Sequence, residues 1–163
     1  MSDPAGGAGP AGEPPRLDDE TDRVLVRALL ADGRATYTAL AAAAGLSVSA
    51  AQARVRRLEA RGVIRGYRAE VDPEAVGLPL TAFVAITPLD PGQPDDAPER
   101  LAALDAVEAC HSVAGDESYL LKVRVASPRA LEALLQRIRT TAGVRTRSTV
   151  VLQTFYEARP PRA

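Results

Sequence analysis

Apolar residues recur every three or four positions through the first third of the chain, which is the spacing of one buried face of a helix. Acidic residues crowd positions 17–22, just before the first of these stretches, and the helix dipole favours them at a helix N-terminus. Asp32 and Gly33 interrupt the pattern and end this first helix. A second helix is predicted over residues 38–44, and Gly45 turns the chain after it.

A third helix follows that turn almost at once. Ser47 or Ser49 can cap its N-terminus, and Gly62 ends it. Helical spacing predicts a core-facing stripe made of Val48, Ala51, Val55 and Leu58. Three short helices with a tight glycine-containing turn before the third describe a helix-turn-helix, in which the last helix lies in the major groove of DNA.

The outer face of the third helix supplies side chains for DNA contacts. Arginine forms two parallel hydrogen bonds with guanine or pairs with phosphate. The residues expected to contact DNA are Ser47, Ser49, Ala50, Ala53, Arg54, Arg57 and Arg61. The alternative is an ordinary helical subdomain with a solvated basic helix. The turn, the spacing and the charge together favour DNA binding.

Charge supports this interpretation only through its distribution. The whole chain has a formal net charge of −1, from 20 basic and 21 acidic residues. Between Ser47 and Arg68, however, six arginines stand against the single acid Glu59, a local excess of five positive charges. A basic stripe of this kind, rather than the overall charge, provides an electrostatic footprint for phosphates.

Beyond Gly62 the pattern changes to alternation. The apolar positions of residues 63–71 predict a short extended stretch or hairpin, which makes the first domain winged-helix-like. The predicted boundaries are a disordered tail over 1–15, a helix-turn-helix domain over 16–66, a strand or hinge linker over 67–79, a strand-rich domain over 80–157 and a second tail over 158–163.

The strand-rich domain alternates strands with helices. Within 119–125, apolar residues alternate with Lys122 and Arg124, so one face of that strand is buried and the other is partly wet. Strands are predicted over 81–88, 107–114, 119–125 and 144–156, and helices over 99–104 and from Pro128 onward. The order β-α-β-β-α-β is the ferredoxin-like split arrangement, and the fold class is therefore α+β.

Composition excludes several classes of protein. No apolar run reaches the roughly 18 residues of a membrane span, and the N-terminus lacks the basic and apolar regions of a signal peptide. Cys110 is the only cysteine, which excludes an internal disulfide and fits a reducing, cytoplasmic setting. His111 is the only histidine, and we expect it to pack rather than to bind metal. No cofactor is expected.

A turn between two predicted strands has the chemistry of a small-molecule site. Backbone amides in a glycine turn can hold a carboxylate, and an acidic side chain can pair with an ammonium group. The expected ligand contacts are Gly115, Asp116, Glu117, Ser118 and Tyr119. The alternative is that Gly115 and Asp116 merely turn the chain.

Several segments together resemble the Lrp/AsnC regulators, also called feast/famine regulatory proteins. The segments are Leu17-Asp18 through Asp22, Leu29 through Arg34, Leu40-Ala41, Gly45-Leu46-Ser47, Arg54 through Glu59, Gly62-Val63-Ile64, Tyr67 and Asp72-Pro73. The resemblance continues through the β-α-β-β-α-β half, which looks like the ligand-sensing and oligomerisation domain of this family. It covers residues 17–157.

This resemblance implies a sequence-specific transcriptional regulator of palindromic, double-stranded operator DNA. It also implies a homodimer built through the C-terminal sheets, often assembled into an octamer, and an amino acid or related metabolite as effector. The family's sensing turn commonly ends in Asp, where this chain has Ser118, so we expect a ligand preference unlike leucine or asparagine, or no ligand at all. The family's threonine motif matches Ser148 or Thr149, which join the expected ligand contacts.

Two other functions remain open at this point. Some haem-biosynthesis decarboxylases are similar to this family in fold, but such a site is expected to use several basic residues, including histidine. This chain has one histidine and an intact basic third helix. The other possibility is an architectural protein that compacts DNA without sensing a ligand.

Overall fold

A computed structural model of the chain describes residues 16–90, 92 and 94–161. The tail predicted over 1–15 lies outside the described residues, as do positions 162–163 of the second tail. The described chain forms two compact units. One extends to Ala69 and includes the segment from Ala158 onward, and the other comprises Glu70–Glu157. Each unit has an apolar core of its own.

The first two helices begin and end at capping residues. Helix α1 (Glu20–Ala31) begins at Asp19, whose carboxylate accepts hydrogen bonds from the backbone amides of Thr21 and Asp22. Helix α2 (Tyr37–Ala44) begins at Thr36 in the same way. It ends at Gly45, whose φ of 67° lies in the left-handed region that glycine adopts without strain. The turn before the third helix is therefore built as the sequence predicts.

Helix α3 (Val48–Ala60) completes the three-helix arrangement. Ser47 is its N-cap, and the Ser47 hydroxyl accepts a hydrogen bond from the Ala50 amide at 3.2 Å. Three of its four predicted core residues are buried: Ala51, Val55 and Leu58. Val48 is exposed instead, so its assignment to the core was wrong. It is the first residue of the helix and the core-facing side begins one turn later.

The extended stretch or hairpin predicted after α3 is not formed. The described residues from Arg61 to Pro79 contain turns but no strand, so the helix-turn-helix unit carries no wing. Gly62 and Gly66 have positive φ angles, which interrupt a regular strand, and residues 63–71 belong to none of the paired strands of the described sheet. Ile64 packs against the helical core instead.

The second unit is a four-stranded antiparallel sheet with two helices. Its elements are β1 (Leu80–Pro88), α4 (Ala97–Leu101), β2 (Val107–Ser112), β3 (Tyr119–Val125), α5 (Pro128–Ala142) and β4 (Val144–Val150). The strand order is β2-β3-β1-β4, and all three neighbouring pairs are antiparallel. This is the topology of the ferredoxin-like arrangement, and it confirms the predicted fold class.

Two strands and one helix have different lengths from the prediction. Strand β4 stops at Val150 rather than near Tyr156. The Val151 amide still donates to the Thr81 carbonyl at 2.9 Å, but β1 begins at Leu80, so no residue of it lies opposite 153–156. Strand β2 ends at Ser112, and α4 begins two residues earlier than expected, at Ala97. The alternation that predicted longer strands therefore continues beyond the last pairing partner.

The two faces of the sheet have different surroundings. On one face, β1 and β3 bury alternate residues against α4 and α5, and Leu121 and Ile138 are fully buried there. On the other face lie Phe83, Lys122 and Arg124, and no helix of the described chain covers them. This open face is apolar at β1 and charged at β3.

Candidate DNA interface and ligand-sensing turn

One row of side chains on α3 points away from the core of its unit. Ser49, Ala53 and Arg56 are exposed and follow one another at steps of four and three residues, so they form a single stripe, called here the outward row. Arg56 was missing from the residues predicted to contact DNA. The spacing of the buried residues Ala51 and Val55 was the signal that could have found it.

Arg54 lies on a different side of the helix, beside the N-terminus of α1. Its Nη1 atom donates to Oδ1 of Asp22 at 2.7 Å and to Oδ2 of Asp19 at 2.9 Å. The hydrogen bond from Arg54 lowers the pKa of Asp19 to about 2. The Arg54 side chain is 29% exposed, so this predicted DNA contact is engaged within the protein.

Arg57 binds the same carboxylate from the other side. Its Nη2 atom donates to Oδ2 of Asp22 at 2.8 Å, so each Asp22 oxygen accepts one guanidinium. Asp22 is only 2% exposed, and a buried carboxylate without such partners carries a large desolvation cost. We call this arrangement of Asp22, Arg54 and Arg57 the Asp22 clamp. It joins α3 to α1.

The remaining predicted DNA contacts have different surroundings: some lie at the capped N-terminus of α3, and one lies exposed at its C-terminus. The Ser47 hydroxyl caps α3 and lies 3.2 Å from that of Ser49, while Ala50 is half-buried. Arg61 is exposed, and its Nη2 atom donates to the backbone carbonyl of Arg16 at 3.0 Å. The basic stripe seen in the sequence is thus partly neutralised or engaged inside its own unit.

The predicted ligand turn lies between β2 and β3. It is closed by the Val113 amide donating to the Ser118 carbonyl at 3.1 Å, and the Ser118 amide donates to the Ile86 carbonyl of β1. Gly115 does not have a positive φ, and a methyl group added there would meet no atom within 4 Å. The chain does bend through residues 114–118, as expected, but without a backbone conformation that requires glycine, and the space above Gly115 is open.

An arginine that the sequence did not reveal reaches this turn. Arg147 on β4 donates from Nη2 to a carboxylate oxygen of Glu117, and it remains 74% exposed. That hydrogen bond holds the pKa of Glu117 below its usual value. Asp116 is exposed next to this pair. The turn therefore presents both charge signs at one place.

Three other predicted ligand residues lie elsewhere. Tyr119 is buried in the sheet core, and its hydroxyl donates to Asp95 at 2.6 Å, which raises the pKa of the phenol to about 12. Ser148 and Thr149 lie on β4, which β1 separates from the strand that follows the turn. Across β1, the residue level with Tyr119 is Thr146, so Ser148 and Thr149 lie further along the strand.

The open face of the sheet carries a second charged cluster. Lys122 pairs with Glu108 and Glu157 at 2.8 Å, and Arg124 donates to the same two carboxylates. Here the acids are 34% and 42% exposed, in contrast to Asp22. His111 is exposed on the neighbouring strand β2, so the expectation that it packs is not met within the chain.

Two family models match the two halves of the chain. The AsnC-type helix-turn-helix domain matches residues 19–59, and the Lrp/AsnC ligand binding domain matches residues 81–161. An HTH-type transcriptional regulator, LrpA, of Mycobacterium tuberculosis is 70% identical over 141 residues, which cover 86% of this chain and 94% of the relative. This chain belongs to the Lrp/AsnC family. It is a DNA-binding transcriptional regulator, as the helix-turn-helix predicts.

A more distant relative also matches most of the chain. The leucine-responsive regulatory protein of Escherichia coli is 39% identical over 140 residues, covering 83% of this chain and 85% of that protein. Membership in a family of transcriptional regulators argues against the alternative of an enzyme. Within the described residues, no helix is both long enough and apolar enough to cross a membrane.

Solved structures of Lrp/AsnC proteins match the fold closely. The leucine response regulatory protein LrpA of M. tuberculosis has a TM-score of 0.80 at 69% identity, covering 85% of this chain and 95% of that one. A feast or famine regulatory protein of M. tuberculosis, complexed with L-methionine, has a TM-score of 0.87 at 68% identity, covering 89% of this chain and 99% of that one.

Proposed function

We propose that this regulator binds a free amino acid at the turn 115–118 and that the bound ligand changes its affinity for operator DNA. The observation that carries the proposal is the open, doubly charged surface formed by Gly115, Asp116, Glu117 and Arg147. An α-amino acid is a zwitterion, and such a surface complements both of its charges. L-methionine is the first ligand to test.

The chemistry of the turn assigns a role to each group. Arg147 and the backbone amides around Gly115 attract the ligand carboxylate, while Asp116 and Glu117 attract its ammonium group. Glycine has a cost in backbone entropy that neither the conformation nor the packing of this chain explains. A ligand that approaches the backbone closely would explain why glycine stands at this position.

The comparisons support an amino acid as the ligand class. The M. tuberculosis feast or famine protein, at 68% identity, was crystallised with L-methionine. A transcriptional regulator of Neisseria meningitidis, at 28% identity and a TM-score of 0.77, was also solved as an L-methionine complex. Ser118 stands where the family commonly has Asp, which supports a preference other than leucine or asparagine.

Calorimetric titration of the full chain with L-methionine and the other amino acids tests the site. We expect one preferred ligand, with binding lost or weakened at least tenfold in Asp116→Ala and Arg147→Gln. Thr149→Ala is the matched control, since it alters a predicted contact that lies away from the turn, and its affinity is expected to stay within twofold. Equal binding by wild type and both turn variants places the ligand elsewhere.

We propose further that the chain acts as a two-fold dimer built through the sheet unit. Leu152 and Phe155 follow β4 and are 97% and 82% exposed, and Phe155 lines a cleft together with Phe83 of the open face. Large exposed apolar groups of this kind mark association surfaces. A dimer would place its two recognition helices about 34 Å apart, or a multiple of that, to meet successive major grooves of a palindrome.

Light scattering of the full chain tests the assembly. Wild type is expected to be dimeric or larger at micromolar concentration, and Leu152→Ser with Phe155→Ser is expected to lower its mass. Val48→Ser is the control, because it removes an exposed apolar residue of the other unit. A folded wild-type monomer at micromolar concentration contradicts the proposal.

A further inference from the structure

The basic residues of α3 have two different surroundings. Arg54 and Arg57 both donate to Asp22, and Arg54 donates to Asp19 as well. Arg56 is exposed and lies between them in sequence but not in space. With about 100° between successive residues of a helix, Arg56 falls about 160° away from Arg54 and about 100° away from Arg57.

The two clamp arginines are held in place because the loss of either one would leave the buried Asp22 carboxylate with one charged partner fewer. Asp22 is 2% exposed, and its two oxygens accept one guanidinium each. If either arginine turned towards DNA, a buried carboxylate would lose a charged partner, which is costly in a low-dielectric surrounding. The free energy gained from a contact with phosphate or guanine has to exceed the free energy lost at Asp22 before Arg54 or Arg57 leaves that carboxylate.

Arg56 is not bound to a buried carboxylate within the part of the chain that the structure describes. It continues the outward row after Ser49 and Ala53, and these two small side chains let the helix lie close to the floor of a groove. In helix-turn-helix proteins, the recognition helix lies in the major groove with its N-terminal residues on the base edges, and because Cα–Cβ bonds tilt towards the helix N-terminus, a long side chain at Arg56 leans towards those residues. The guanidinium of Arg56 then reaches past Ala53, with its fork free to bind guanine O6 and N7.

We propose that Arg56 is the arginine of α3 that reads a base in the major groove, whereas Arg54 and Arg57 remain on Asp22 and position the helix. The proposal rests on the docking of α3 in DNA and names the residue that determines specificity there. Arg54 and Arg57 are positioning residues, because they act on DNA only through the orientation of α3.

The test compares full-length Arg56→Ala with Arg57→Ala, two neighbouring arginines of one helix. Fluorescence anisotropy measures the affinity of each variant for a selected operator and for a scrambled duplex, over a range of salt concentrations. Arg56→Ala is expected to weaken operator binding by about 5- to 150-fold and to reduce the ratio between the two duplexes. Arg57→Ala is expected to keep that ratio within twofold, whatever it does to thermal stability.

Two further variants separate positioning from contact. Arg56→Lys retains the charge but not the planar fork, so it is expected to keep the affinity for the scrambled duplex without restoring discrimination. Asp22→Asn releases two arginines from their carboxylate. We expect it to steepen the dependence of binding on salt, since each additional phosphate contact adds about 0.9 to that slope. A purely structural role of the clamp would leave the slope unchanged.

The outcomes distinguish failure of this inference from failure of groove docking. If Arg57→Ala or Arg54→Ala lowers discrimination as much as Arg56→Ala, or if Arg56→Ala retains it, the assignment of Arg56 is overturned. If folded variants of Ser49, Ala53 and Arg56 all bind the operator like wild type, α3 does not dock in the groove, and both conclusions fail together.

Discussion

The helix-turn-helix unit and the sheet unit both place basic side chains beside carboxylates, but the carboxylates differ in how deeply they are buried. In the first unit the carboxylate of Asp22 is 2% exposed and receives two guanidinium groups. In the second, Glu108 and Glu157 are 34% and 42% exposed beside Lys122 and Arg124. The sign and number of charges are similar, but the sheet unit exposes its acids and buries its bases more, with Lys122 and Arg124 at 19% and 13% exposed against 29% and 52% for Arg54 and Arg57.

The apolar cores of the two units explain why this difference matters. Among the described residues, the core cluster of the sheet unit has fifteen buried members, against five in the helix-turn-helix unit. A small core contributes little stability by itself, so a buried ionic contact between α1 and α3 is a larger share of the total. The comparison indicates that the recognition helix depends on the Asp22 clamp for its position.

Removal of both arginines of the clamp should give the largest effect. Arg54→Ala with Arg57→Ala leaves the buried Asp22 without a charged partner, which costs about 3–5 kcal/mol of stability. We expect early loss of amide protection in 20–60 by hydrogen exchange, with unchanged protection in the sheet. Equal protection in wild type and variant would show that the clamp does not hold α3.

The corresponding double change in the sheet unit should have a smaller effect. Lys122→Ala with Arg124→Ala leaves Glu108 and Glu157, which are already in contact with water, so we expect a loss of about 1 kcal/mol or less. Denaturant unfolding of the full chain measures the difference between the two double variants. A larger loss here than at the Asp22 clamp would reverse the comparison.

The smallest effect is a dependence of the stability of α1 on pH in the acid range. The pKa of Asp19 is about 2 in the folded chain against an ordinary value of 3.8, so its contribution is complete above the ordinary value and is lost as the pH falls towards 2. Hydrogen exchange of α1 between pH 5 and pH 2 should show this loss in wild type and less of it in Asp19→Asn. Asp18→Asn, one residue earlier, is expected to behave like wild type.

Much of the fold could be predicted because local signals coincide with it. The acidic run over 17–22, a serine cap before the third helix, the glycine at 45, and alternation in 119–125 all predicted elements that the structure contains. The missing wing shows the limit, since residues 63–71 pair with no strand in the part of the chain that the structure describes. A period of two predicts an extended segment, but a strand also needs a neighbour.

The site was less predictable because its key contacts are distant in sequence. Arg54 and Arg57 meet Asp22 more than thirty residues away, and Arg147 meets Glu117 across thirty. Helical spacing places a side chain on a face of its own helix, but it does not say which neighbouring element supplies a carboxylate. For that reason the sequence did not reveal that Arg54 and Arg57 both donate to Asp22.

Regulation by the proposed ligand requires a coupling free energy between the turn 115–118 of the sheet unit and the helix-turn-helix unit. The most direct measurement is the affinity of the full chain for its selected operator, with and without saturating L-methionine or the amino acid that calorimetry selects. We predict a change of about 5- to 150-fold, the range of a typical allosteric coupling. If the operator affinity stays the same while the ligand is demonstrably bound, ligand binding and DNA binding are not coupled, and the proposed regulation is wrong.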